Sequence, residues 1–216
     1  MSNNSLSINA QAAARTIADY FACAVTIEGE LERISYNHMG ATLTDTVLQA
    51  GLNYRSVVLP RVRHVLVEYP DAQTTTKFWT VLREIGPNTV LRWSHPEKID
   101  RLNRLIELLL TYTIETEAQL SEWLSSNAAT EELLSLKGIG PKTVDYLKIL
   151  VGIPTIAVDR HVKSLFRILD LEFSGYEDFR SVLCQAAEIL RIPAHILDGI
   201  IWQHLSKNGS PTKPAN

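Results

Sequence analysis

Residues 136–161, LKGIGPKTVDYLKILVGIPTIAVDRH, constrain the fold more than any other stretch of this chain. Two glycines, Gly138 and Gly140, bracket the single apolar residue Ile139. Glycine accepts the positive φ of a tight reversal and carries no Cβ to hold another group away. The spacing predicts a short helix EELLSL, capped by Thr130, that stops at these glycines. A second helix is predicted from Lys142 to Val151, ended by Gly152. Pro154 and the apolar run TIAV then lead to Asp159, a good N-cap for the helix RHVKSLFRIL. TIAV has strand propensity, but a lone strand has no partner, so it is predicted as an extended loop.

The rest of the chain also reads as helix. Helical apolar spacing predicts helices over 9–28, 41–50 and 54–69, with Pro60 either kinking the last or starting a separate one. Another runs from Thr74 to Glu84 and is broken at Gly86-Pro87-Asn88. Ser94 with Glu97 reads as a capping box for a long helix, and Thr116 with Gln119 as a second box for 117–125. Ser174 is expected to open 175–190, and Pro193 to open 194–207. No segment alternates with period 2. The expectation is an all-α fold of about ten helices.

A chain of 216 residues, 45% hydrophobic, can bury one core or two small lobes. No apolar run approaches the ~20 residues of a membrane span. The N-terminus MSNNSLSINA lacks the pattern of a signal peptide, so a location in the cytoplasm, at the nucleoid, or in the nucleus is expected, with no membrane partner. Cys23 and Cys184 lie far apart in helical apolar patterns and are expected to be small buried residues. Net charge is −3, yet its distribution is uneven. Residues 136–169 hold six Lys/Arg (Lys137, Lys142, Lys148, Arg160, Lys163, Arg167) against two acids, whereas 107–132 hold six Glu and no Lys or Arg. A local basic surface can therefore meet phosphate while the chain stays near neutral.

The glycine turn has a chemistry of its own. Free N–H groups at the start of the second helix, with its dipole, form an anion site. Leu136, Lys137, Gly138, Ile139, Gly140, Thr143 and His161 are the candidate DNA-backbone contacts. Such contacts position DNA without reading its sequence. An isolated Gly-x-Gly is more often a plain turn between helices. The flanking Lys137 and Lys142 and the downstream Asp159 favour the binding reading.

LKGIGPKT and IPTIAVDRHV resemble the helix-hairpin-helix, Gly/Pro loop and Asp signature of the DNA glycosylase superfamily, nearest to endonuclease III-type enzymes. The likeness is dense over about 130–169 and weak elsewhere. It implies that Lys142 is a Schiff-base lysine and Asp159 a catalytic aspartate. It implies backbone carbonyls of Leu134, Leu136 and Ile139 holding a monovalent cation, Na or K. It also implies two helical lobes, 32–153 and 1–31 joined with 154–216, with a cleft between them. Lys142 would line one wall of that cleft and Asp159 the other. The lysine-to-aspartate spacing is one residue shorter than in endonuclease III; the missing residue is placed in the loop, since Gly152 still ends the helix. Two cysteines cannot hold the four-cysteine iron–sulfur cluster that many of these relatives carry after their last helix. No other cofactor is expected.

A base inside a duplex must be flipped out to be reached. The likeness at VLQAGLNYR is thin; if it holds, Gln49 to Tyr54 plug the gap, with Leu52 or Asn53 at the tip. Tyr54 and Trp93 are candidates to stack on the flipped base, although aromatics at such spacing more often belong to the core. The expectation is a monomeric, double-stranded-DNA glycosylase with associated AP lyase activity. A hydrolytic glycosylase without lyase activity and a non-enzymatic DNA-binding module are the alternatives. The base itself is open: oxidised pyrimidine, 8-oxoguanine, alkylpurine or a deliberately modified base.

Overall fold

The computed structural model describes residues 2–27 and 35–207, and within the first helix the side chains of residues 9–22. Residues 28–34, the tail 208–216 and the Cys23 side chain lie outside this description. The described residues hold α-helices α1 (Ser2–Ile27), α2 (Met39–Leu48), α3 (Leu59–Glu68), α4 (Thr75–Ile85), α5 (Pro87–Leu91) and α6 (Pro96–Thr111). These are followed by α7 (Glu117–Leu124), α8 (Asn127–Ser135), α9 (Pro141–Leu150), α10 (Arg160–Ile168), α11 (Tyr176–Leu190) and α12 (Ala194–Lys207). A π-helical turn, Tyr54–Val58, precedes α3, and there is no strand among the described residues. The described residues are all-α, with twelve α-helices where about ten are expected from sequence. No helix is long and apolar enough to cross a membrane among the described residues.

Side-chain caps open α2, α4, α7, α8 and α10, and several helix starts differ from expectation. Thr116 caps α7 as the sequence predicts, with a complete capping box through Gln119, and Thr74, expected as the start of its helix, is the N-cap of α4. Thr130 is not a cap: α8 starts earlier, at Asn127, and the Ser126 hydroxyl accepts the Ala129 N–H. Thr130 instead takes a hydrogen bond from Lys148 Nζ at 3.0 Å. Ser94 also does not cap. His95 takes the cap position of α6 with no side-chain bond, because Pro96 already supplies the fixed φ of the first turn. Ser174 stands one residue early, and Gly175 at φ 92° precedes α11. Pro60 falls in the first turn of α3 and so starts a separate helix. α5 occupies the break expected at Gly86-Pro87-Asn88.

The chain divides into two compact units, residues 34–153 and residues 1–33 with 154–216. The central unit packs α2, α4, α6, α7, α8 and α9 around a core that includes Leu43, Phe78, Leu105, Leu109, Leu133 and Leu147. Acidic side chains are buried in this unit. Asp45 on α2 is fully buried and accepts hydroxyls from Tyr36 (2.8 Å), Tyr146 (3.0 Å) and Tyr54 (3.2 Å). Burial, and then the adjoining carboxylate, push the Tyr36 hydroxyl well above the ordinary phenol range, so it stays a donor. Asp45→Ala would remove one hydrogen bond from each of three tyrosine hydroxyls. At about 1 kcal/mol each, a loss of about 3 kcal/mol in urea denaturation is expected. A change under about 0.5 kcal/mol would contradict this account of the network.

Glu117 is likewise buried, at 6% exposure, and accepts the Asn37 (3.0 Å) and His38 (3.2 Å) N–H groups and the hydroxyls of Ser35 and Thr42. It therefore does not belong to the acidic surface expected over 107–132.

The second unit packs α1 on α11, and α10 and α11 on α12. Ile17, Phe21, Leu165, Phe166, Leu183 and Ile201 lie in its core. Residues 153–159 run extended between α9 and α10, as TIAV predicted, with Ile156 and Val158 buried. Having no neighbouring strand, the run meets its buried amides with side chains. Ala157 N–H donates to Asp198 of α12 (3.0 Å) and Val158 N–H to the Tyr176 hydroxyl (3.2 Å).

Candidate functional site

Gly138 and Gly140 make different contributions to the turn between α8 and α9. Gly138 has φ 87°, in the region that favours glycine. Gly140 is extended, φ −112° and ψ 178°, and is the N-cap of α9. Ile139 between them is 5% exposed and anchors the turn in the core, and its N–H closes the turn onto the Leu136 carbonyl at 3.0 Å. Pro141 has no N–H, and Thr143 N–H is taken by the Gly140 carbonyl at 2.9 Å. The N–H groups of Gly138 and Gly140 make no hydrogen bond among the described residues. The amides left without a partner here thus include two of the turn itself, and not only those of the helix start. The Thr143 side chain, expected at DNA, is buried; Lys137 is exposed.

This difference separates the two glycines experimentally. A Cβ on Gly140 meets nothing within 4 Å, so Gly140→Val should fold normally. If a phosphate rests on the turn, that valine blocks it, and duplex affinity should fall about ten-fold with unchanged circular dichroism. Unchanged affinity would remove the turn from the binding surface. Gly138→Val should lose stability as well, because its φ is strained for any side chain.

Lys142 is the second residue of α9 and half-buried. Its Nζ donates to Gln49 Oε1 at 2.8 Å. Gln49 lies one helical turn after Asp45, and Tyr146, which binds Asp45, lies one turn after Lys142. The facing stripes of α2 and α9 thus pair amine with amide and phenol with carboxylate. A lysine Nζ offers donors to the amide carbonyl, which fixes the Gln49 orientation and leaves Nε2 buried without a partner. Lys98 on α6 stands nearby. Its Nζ donates to the carbonyls of Ala50 (2.6 Å), Val47 (2.8 Å) and Leu48 (3.4 Å) at the end of α2. Burial, then the charges of Arg101 and Lys142, lower Lys98 to about 8. The three carbonyls act the other way, holding the proton against that repulsion.

Asp159 caps α10, as the sequence predicts. Its Oδ1 accepts the N–H groups of His161 (2.7 Å) and Val162 (3.1 Å). Oδ2 makes no hydrogen bond among the described residues. The carboxylate is therefore held by one oxygen and open at the other. His161 is half-buried in the first turn of the same helix. α9 ends at Leu150 and Gly152 takes φ 85°, so the helix carrying Lys142 stops before Gly152.

The four residues proposed to enter the duplex are placed differently from one another. Gln49 is 8% exposed and committed to Lys142. Leu52 is half-buried against Ala41, Leu48, Val58 and Val62. Tyr54 packs on the same cluster with its hydroxyl on Asp45. Asn53 is exposed, and its side chain caps the π turn by accepting Ser56 N–H at 3.0 Å. Trp93 is half-buried beneath the Arg61 guanidinium, 5.1 Å from the ring centre. Leu136, one of the three expected cation ligands, already spends one carbonyl lone pair on Ile139 N–H. Neutral carbonyls of this kind suit Na or K better than a transition metal. No group of His, Cys, Asp or Glu suited to a metal occurs among the described residues.

Sequence reasoning missed Asp45, Lys98 and Arg101. A carboxylate inside the apolar helix MGATLTDTVL was a visible signal for Asp45, while nothing local marked the two cations on α6. No protein family, curated protein or solved structure matches this chain.

Proposed function

We propose that this protein is a helix-hairpin-helix DNA glycosylase with AP lyase activity, in which α8, the glycine turn and α9 hold the DNA backbone. The observation that carries the reading is Lys142: a half-buried amine at a helix start, beside a turn with two unbonded amides, anchored by an uncharged amide. In this reading neutral Lys142 Nζ attacks C1′ of the damaged nucleotide. The new N–C bond forms as the glycosidic bond breaks, and its electron pair leaves with the base. Loss of an amine proton and opening of the sugar give an iminium, from which β-elimination expels the 3′ phosphate. Asp159 Oδ2 stabilises the positive charge that grows on the sugar.

The test is a panel of duplexes carrying thymine glycol, 8-oxoguanine, 7-methylguanine, 5-methylcytosine or an abasic site, each incubated with protein and borohydride. A covalent adduct on the abasic duplex and on at least one base identifies both substrate and lyase step. Base release without any adduct would support the hydrolytic alternative. Binding without either would leave only a DNA-binding module.

A further inference from the structure

Arg101 on α6 is absent from every motif and makes no hydrogen bond or ion pair among the described residues. Its position is specific. A Cβ on Gly138 would stand 2.5 Å from one terminal nitrogen, 2.6 Å from Nε and 2.9 Å from the central carbon of the guanidinium. The guanidinium therefore turns its edge of Nε and one terminal nitrogen toward the face of the turn that glycine leaves open. Its Nε is buried without a partner, whereas its terminal nitrogens are not among the buried unpaired atoms and reach the surface. Lys98 lies within the electrostatic reach of both Arg101 and Lys142, whose charges both act on it. Gln49 Nε2, in a side chain more than nine-tenths buried, is a further donor without an acceptor beside Lys142. The unbonded amides of Gly138 and Gly140 add two more donors. The region holds surplus donors and positive charge in one place, and an anion rich in acceptors is what would satisfy it.

We infer that Arg101 is a direct ligand of a DNA phosphodiester seated on the Gly138–Gly140 turn. This rests on the function proposed above and extends it to a residue outside the hairpin. The planar fork can give two parallel N–H bonds to one phosphate, which a lysine cannot. It also gives Gly138 a second role, because any side chain there would displace the guanidinium.

The experiment measures duplex affinity by fluorescence anisotropy across a series of KCl concentrations, for wild type, Arg101→Gln and Arg101→Lys. The probes are a plain duplex and one with a tetrahydrofuran abasic analogue. Arg101→Gln should weaken binding to both about ten-fold at low salt and reduce the slope of log affinity against log salt by about one. Arg101→Lys should restore the slope but only part of the affinity. Thermal unfolding should move little, since no protein partner is lost. An Arg101→Gln slope equal to wild type overturns the inference alone, including when the variant is merely less stable. A wild type that binds neither duplex overturns the proposed function and this inference together. Inorganic phosphate that competes with both duplexes for wild type but not for Arg101→Gln would further support the site.

Discussion

Lys142→Gln is expected to abolish the borohydride-trapped adduct while leaving duplex affinity within a few-fold of wild type. Glutamine is preferable to alanine here. The Lys142 Nζ is a donor to buried Gln49 Oε1. Alanine would leave that carbonyl without this donor, at about 1–3 kcal/mol, and confuse a lost nucleophile with a weakened fold. A glutamine amide can still donate to Gln49 and cannot form an iminium. An undiminished adduct in Lys142→Gln would move the nucleophile elsewhere, with the N-terminal amine the first alternative. Adduct loss accompanied by equal loss of DNA binding would make Lys142 a phosphate contact.

Asp159→Asn should lower base excision by a factor on the order of 10²–10³, the scale seen when one group that stabilises transition-state charge is removed. The local fold should persist. Asp159 caps α10 through Oδ1 alone, and an asparagine carbonyl can accept the same His161 and Val162 N–H groups. What changes is Oδ2, where a carboxylate oxygen becomes an amide donor. Asp159→Ala loses the cap as well and should cost about 1 kcal/mol of stability. Comparing the pair separates the two roles. Full activity in Asp159→Asn, with failure only in Asp159→Ala, would make the aspartate a structural cap.

Much of the helical plan was legible because its signals are local. Thr116 and Gln119 lie three residues apart, and Gly152 and Asp159 act on their immediate neighbours. The errors at Ser94, Thr130 and Ser174 share one cause. A cap-forming residue near a helix start is common, and the true first residue was displaced by Pro96, by Ser126 and by the positive φ of Gly175. Contacts between distant residues left no such trace. The Asp45–Tyr146 bond spans 101 positions, the Lys142–Gln49 bond 93, and Arg101 approaches Gly138 from another helix. Periodicity places these residues on helices but does not say which helices face each other. That is why Lys142 and Asp159 could be singled out from their motif while Arg101 and Lys98 could not. It is also why the burial of Gln49 beside Lys142 leaves no mark in the sequence.

The most direct test of the central claim is to locate the bond itself. Wild-type protein is trapped with borohydride on an abasic duplex, digested, and the modified peptide identified by mass spectrometry. One modified peptide is expected, carrying the sugar remnant on Lys142. No adduct, or an adduct on the N-terminal amine or any other lysine, would contradict it.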